Sequence, residues 1–181
     1  MSPVGTTEDR AKVVCAAMAW LGTPFHHGAR INGVGADCQT FICEVYDRAG
    51  VFTAHDIPFV AAQWYLNGRE ELYLNYLSKY AAEYVCHPER SEGPAFAPSV
   101  AKALPEPGDI IVVKHRWVHS HGAIVVAWPQ VIHCHPPGVR LSDVRTNPVL
   151  MGKQLKFFDP FQRSALSHQP SAGMAGSGVS G

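Results

Sequence analysis

Apolar residues recur at helical spacing in two stretches early in the chain. Over residues 8–21, Val13, Val14, Ala17, Met18 and Leu21 form one apolar face, and Thr6 or Thr7 can cap the helix they predict. From Cys38 to Arg48 the sequence Cys38-Gln39-Thr40-Phe41-Ile42-Cys43-Glu44-Val45-Tyr46 reads as a buried helix. Asp37 is its N-cap and Gly50 its C-cap. The segment between, residues 22–36, is glycine-rich and irregular. A looser helical pattern covers residues 60–80 on Ala61, Trp64, Tyr65, Leu72, Leu74 and Leu77, and Asn67-Gly68 divides it.

The period then changes. Residues 87–107 carry charged, proline and small residues with no apolar repeat, and residues 86–103 read as a surface insertion. Short β-branched runs follow at 109–113, 122–128 and 130–134, with weaker ones at 139–141 and 155–158. Residues 164–181 are small and polar, as in a disordered tail, so residues 1–163 form the domain. Helices first and a meander of strands afterwards predict an α+β fold.

Composition narrows the function. With 15 basic and 15 acidic residues, charge gives no sign of a nucleic acid or membrane partner. No apolar run is long enough to span a bilayer, and residues 1–9 lack the pattern of a secretory signal. Five cysteines without regular spacing suit a chain folded in a reducing compartment.

The chemistry centres on Cys38. Behind an Asp37 cap it falls at the first helical residue, where the helix dipole and unpaired N–H groups favour a thiolate and could bind an oxyanion. His121 opens an apolar strand and can serve as its base. His133 lies across a turn at Trp128-Pro129-Gln130 and can hold the His121 ring in one tautomer. Taken singly, His121 reads more readily as a strand-edge surface residue, and His133 equally as a half-buried histidine satisfied by a backbone carbonyl. The dense group His115, His119, His121, His133, Cys134 and His135 lacks compact zinc spacing, so neither metal nor cofactor is expected. His26 and His27 suit a groove rim, Cys15 and Cys43 a helix core.

Three segments together resemble the NlpC-type cell-wall cysteine peptidases, in the branch encoded with phage tail genes. They are Trp20-Leu21-Gly22-Thr23-Pro24-Phe25-His26-His27-Gly28 running on to Gly33-Val34-Gly35-Ala36-Asp37-Cys38; Pro107-Gly108-Asp109-Ile110-Ile111-Val112; and Ser120-His121-Gly122-Ala123-Ile124-Val125 followed by Val131-Ile132-His133. The resemblance implies a papain-like fold with N-terminal helices packed on a small antiparallel sheet. It implies hydrolysis of amide bonds in peptidoglycan stem peptides, with Cys38 as nucleophile, His121 as base and His133 as its orienting partner. Phe25, His26, His27, Asp37 and Ser120 become candidates for substrate contact. Phage tail proteins become candidate partners, with synthesis in the cytoplasm and delivery to the wall by a particle. The sequence departs from the family where tyrosine is replaced by Phe25, which removes a hydroxyl, and where Gln39-Thr40 follows the cysteine in place of Ser-Gly. A silent tail or wall-binding module on the same fold, and a Cys-His amidase or acyltransferase, are the alternatives.

Overall fold

The computed structural model describes residues 5–54, 57, 61, 64–86, 101, 102 and 104–164. The tail beyond residue 164, and all but the ends of the span read as an insertion, lie outside the described residues.

Helix α1 (Thr7–Met18) starts with a capping box in which Thr6 and Asp9 satisfy each other's backbone N–H groups. It stops sooner than its apolar spacing predicts. After Met18 the chain tightens into turns (Trp20 N–H to Ala17 C=O, Leu21 N–H to Met18 C=O), which swings Trp20 inward. Trp20 packs edge-on against Phe41 at 6.0 Å, whereas Met18 and Leu21 are exposed. Cys15, expected in the core, is exposed on the outer side of this helix. A two-stranded ribbon, β1 (Arg30–Ile31) with β2 (Gly35–Ala36), leads into helix α2 (Cys38–Arg48). Gly50 takes the left-handed conformation that ends it, at φ 72°. The pattern over 60–80 breaks at Asn67-Gly68 into a 3-10 turn, Trp64–Leu66, and helix α3 (Leu72–Leu77).

The strands are β3 (Ala82–Cys86), β4 (Ala101–Lys102), β5 (Ile110–His115), β6 (Val118–Ala127), β7 (Gln130–His135), β8 (Gly138–Asp143) and β9 (Leu155–Asp159), followed by helix α4 (Pro160–Ser164). They form one sheet in the order β4-β3-β9-β5-β6-β7-β8, antiparallel except where β3 meets β4. Strand β3 was not legible as a strand, and Ala101 and Lys102 belong to the sheet although they fall within the span read as an insertion.

Both faces of the sheet are covered, which explains the unbroken apolar run Ile110-Ile111-Val112-Val113. Ile110, Val112, Ile124 and Ile132 pack on Val13, Ala17, Phe41 and Val45 of the helices. Ile111, Val113, Val125 and Val131 pack on Val144, Leu150 and Phe157. Each such side chain, fully buried, contributes roughly 1.5–3 kcal/mol. Beneath the helices lies an ionic cluster. The buried Asp109 carboxylate accepts from Arg10 at 2.8 Å, Lys102 at 3.1 Å and the Tyr84 hydroxyl at 2.6 Å. Asp159 accepts from the same Lys102 at 2.7 Å and Arg10 at 3.2 Å. The Tyr46 hydroxyl donates to the Gly108 carbonyl at 2.7 Å, tying α2 to this cluster.

Candidate active site

Asp37 caps α2 as its sequence implies, and its carboxylate is fully engaged. Oδ1 accepts from the Gln39 and Thr40 N–H groups at 3.0 and 2.9 Å, and Thr40 Oγ1 accepts in return from the Asp37 N–H. Oδ2 accepts from the Gly28 N–H at 2.8 Å and lies 3.4 Å from His27 Nδ1. Two of the first helical amides are therefore held by the cap. The Cys38 N–H, which lies against its own sulfur, is the remaining donor at this helix start.

Cys38, His121, Ser120, Phe25, His27 and Asp37 line one groove of about 340 Å³, a size suited to a short peptide segment. His26 does not line it; its ring stands over Gly35, on the ribbon. The Cys38 S–H points to the Ser120 carbonyl at 3.8 Å, and the Gly122 N–H reaches its sulfur. On β6 and β7, Ala123 pairs with His133, which sets His121 and His133 as diagonal neighbours on one face. Their rings meet edge-to-face with His121 Nε2 at 2.8 Å from His133 Nδ1. His121 Nδ1 is then the ring nitrogen not held by His133.

Burial opposes the thiolate expected from the helix start. Cys38 is half-buried, and the protein packed around it, together with the Asp37 carboxylate, pushes its thiol up to about 12. The Gly122 N–H opposes this without reversing it. Burial likewise holds His121 neutral, well below the usual histidine range, reinforced by His133, His115 and His135 around it. Burial and the Arg140 charge bring His133 down to about 4. Burial thus favours the neutral forms of both groups in this groove. Iodoacetamide at neutral pH is therefore expected to label exposed Cys15 faster than Cys38, and Cys38 labelling to keep rising through pH 10. Mass-mapped labelling rates check this; a Cys38 rate that is highest at pH 7 and flat above it would restore the thiolate.

Sequence reasoning missed three contributors. Tyr73, on α3, is buried and brings a phenol into the groove that Phe25 cannot supply. Its helix is clamped to β6 by Glu71, which accepts from the His119 N–H at 2.8 Å and lies 3.0 Å from His119 Nδ1. The aromatic wall Trp64 and Tyr65 is the second contributor. His115 is the third: its Nε2–H donates to the Val149 carbonyl at 3.1 Å, so Nδ1 accepts the Ser120 hydroxyl at 3.3 Å. The aromatic side chains were visible, but only the folded chain brings them to Cys38. Gly122 is the position that admits Tyr73, since a methyl there would overlap the Tyr73 hydroxyl and Ile42 Cδ1. Gly122→Ala is expected to cost about 1–3 kcal/mol of stability. Urea unfolding checks it, and an unchanged midpoint would refute the packing.

Among the described residues, no set of three histidine or cysteine ligand atoms converges as a metal site would require. The carboxylates of Glu106, Asp109 and Asp159 do converge, within 4.8 Å, but Arg10 and Lys102 already neutralise them. No helix among the described residues is long and apolar enough to cross a membrane.

No family model matches the sequence, and no curated protein matches it. Solved structures do match. NlpC1 from Trichomonas vaginalis aligns with a TM-score of 0.52 at 15% identity, over 87% of this chain and 45% of its own. An NlpC/P60 family protein from Bacillus cereus aligns with a TM-score of 0.51 at 18% identity, over 85% of this chain and 40% of its own. The NlpC/p60 domain of the peptidoglycan hydrolase SagA gives 0.49 at 17% identity, over 81% of this chain and 96% of that domain. The chain thus spans less than half the length of the first two. Its fold is the papain-like α+β fold of NlpC/p60 domains.

Proposed function

We propose that this protein is a cysteine peptidase that hydrolyses amide bonds in peptidoglycan stem peptides. One observation carries the reading: Cys38 opens a buried helix in the same groove as His121, whose Nε2 is held by His133 at 2.8 Å. The segments at 20–38, 107–112 and 120–133 that resemble NlpC-type wall peptidases supply the substrate class. The same resemblance supports a place in a phage or prophage tail apparatus, with synthesis in the cytoplasm and action at the wall.

The chemistry starts from the neutral pair. As Cys38 sulfur attacks the amide carbon, its proton passes to His121 Nδ1, and the Nε2–H stays shared with His133. The Cys38 N–H is the helix-start donor for the oxyanion, and the Tyr73 hydroxyl is the side-chain donor in the same groove. The imidazolium returns its proton to the leaving amine as the C–N bond breaks, which leaves a thioester. Water then attacks the thioester with His121 as base, and the acid and the free thiol are released.

Incubation with purified peptidoglycan, followed by mass identification of soluble products, tests the reading. Stem-peptide fragments are the expected result. A second reading, a wall-binding module without turnover, is favoured by the raised Cys38 thiol. Binding to the wall without any fragment release would put that module in place of the peptidase.

A further inference from the structure

Behind His133 the hydrogen bonds continue. His133 Nε2 lies 3.0 Å from Ser142 Oγ on β8, and Asn147 Nδ2 donates to that same oxygen at 3.0 Å. The Asn147 amide has a fixed sense, because its Oδ1 accepts from the Val149 N–H at 2.9 Å and a backbone N–H can only donate. One lone pair of Ser142 is therefore filled. What remains undetermined by heavy-atom geometry is the direction of the Ser142–His133 bond, and the chemistry depends on it.

Between His121 Nε2 and His133 Nδ1 there is room for one proton. If Ser142 accepts, His133 carries its proton on Nε2, its Nδ1 accepts from His121 Nε2–H, and His121 Nδ1 is bare. If Ser142 donates, every proton shifts one place, and His121 Nδ1 is already protonated. Only the first arrangement leaves a base for the thiol. Only the first also suits the imidazolium formed after transfer, which must donate from Nε2.

We infer that Ser142, oriented by Asn147, is a positioning residue that accepts from His133 and so fixes the proton of His121 on Nε2. The inference rests on the reading of His121 as the base of a peptidase. Ser142 then accepts on both lone pairs, from His133 and from Asn147. Without the Ser142 oxygen, a proton on His133 Nε2 would be a buried donor with no partner. The proton then moves to Nδ1, where it can still bond His121.

Nitrogen-15 NMR of the histidine rings tests this on the full chain, alongside kcat and KM on peptidoglycan. In the wild type His121 is expected with Nε2 protonated and Nδ1 bare. Ser142→Ala should move the proton to Nδ1 and lower kcat at least about tenfold with KM within about twofold, as a wrong tautomer does. Ser142→Thr keeps the hydroxyl and should restore both. Asn147→Asp presents a second acceptor, so Ser142 must donate to it and accept from His133. That variant should keep the wild-type tautomer. An unchanged His121 tautomer in folded Ser142→Ala overturns the inference, whatever happens to the rate. So does a Thr variant as slow as the Ala variant. A wild type that releases no fragments yet shows the Ser142-dependent tautomer upholds the proton assignment and retires the peptidase.

Discussion

Cys38→Ala and His121→Ala are each expected to lower release of stem-peptide fragments by about four orders of magnitude or more, and the double variant to be little worse. Residues that act as one unit do not lose their effects additively, because either loss already removes the step they share. Here the unit is one proton transfer, from a thiol held at about 12 to an imidazole that burial keeps neutral. Neither group is activated in isolation, so neither retains a partial mechanism when the other is gone. His133→Ala should cost less, since it removes the partner of Nε2 and leaves Nδ1 in place. Single-turnover release, read by mass spectrometry, measures all four variants. Fragment release at the wild-type rate by Cys38→Ala would refute the nucleophile.

Asp109→Ala should be the most destabilising single change outside the groove, by about 3–5 kcal/mol, because it strips a buried cluster of one charge. Arg10 and Lys102 would be left facing Asp159 and a half-exposed Glu106. Against a total stability of roughly 5–15 kcal/mol, that is a large share. The cluster also sets the acid limit. Burial alone would raise the Asp159 carboxyl, but the hydrogen bond and charge of Lys102, with the charge of Arg10, hold it below the ordinary carboxylate value. A depressed carboxyl stabilises the fold above its unfolded pKa, near 3.9, and that stability is lost as pH falls through the folded value. The urea midpoint of the wild type should therefore fall between pH 7 and pH 3. A loss below about 1 kcal/mol in the variant at pH 7 would show the cluster to be dispensable.

What the sequence reveals depends on how local each determinant is. Helix α2 was legible from end to end because its signals are adjacent: Asp37 as cap, an apolar face, Gly50 as stop. The histidine hairpin was legible because a turn fixes the register of the two strands that carry His121 and His133. The inward face of α1 was misread because helical spacing cannot show that the chain turns after Met18 and sends Trp20 inward. Strand β3 escaped because Ala82-Glu83-Tyr84-Val85-Cys86 holds a single β-branched residue and directly follows a helical pattern. The charge state of Cys38 was misread for another reason. The cap and dipole are local and visible, whereas the burial that outweighs them is assembled from distant segments. Tyr73 and Ser142 belong to the same class: each reaches the site only through sheet register or the Glu71–His119 clamp.

The pairing of β3 with β4 has a practical side. Cys86 lies opposite Lys102 at the far margin of the sheet, with β9 and β5 between that margin and the strands that carry the histidines. The chain therefore departs and resumes at neighbouring points on a margin remote from the groove. Such a margin is a natural port for cargo. A fluorescent reporter or a foreign wall-targeting module spliced between Cys86 and Ala101 would have both of its ends held close together, and closure entropy changes only slowly with the length of what is inserted. The graft must leave Lys102 in place, because that residue closes the ionic cluster under α1. Adding a binding function, with the groove untouched, becomes a matter of changing what sits in that port.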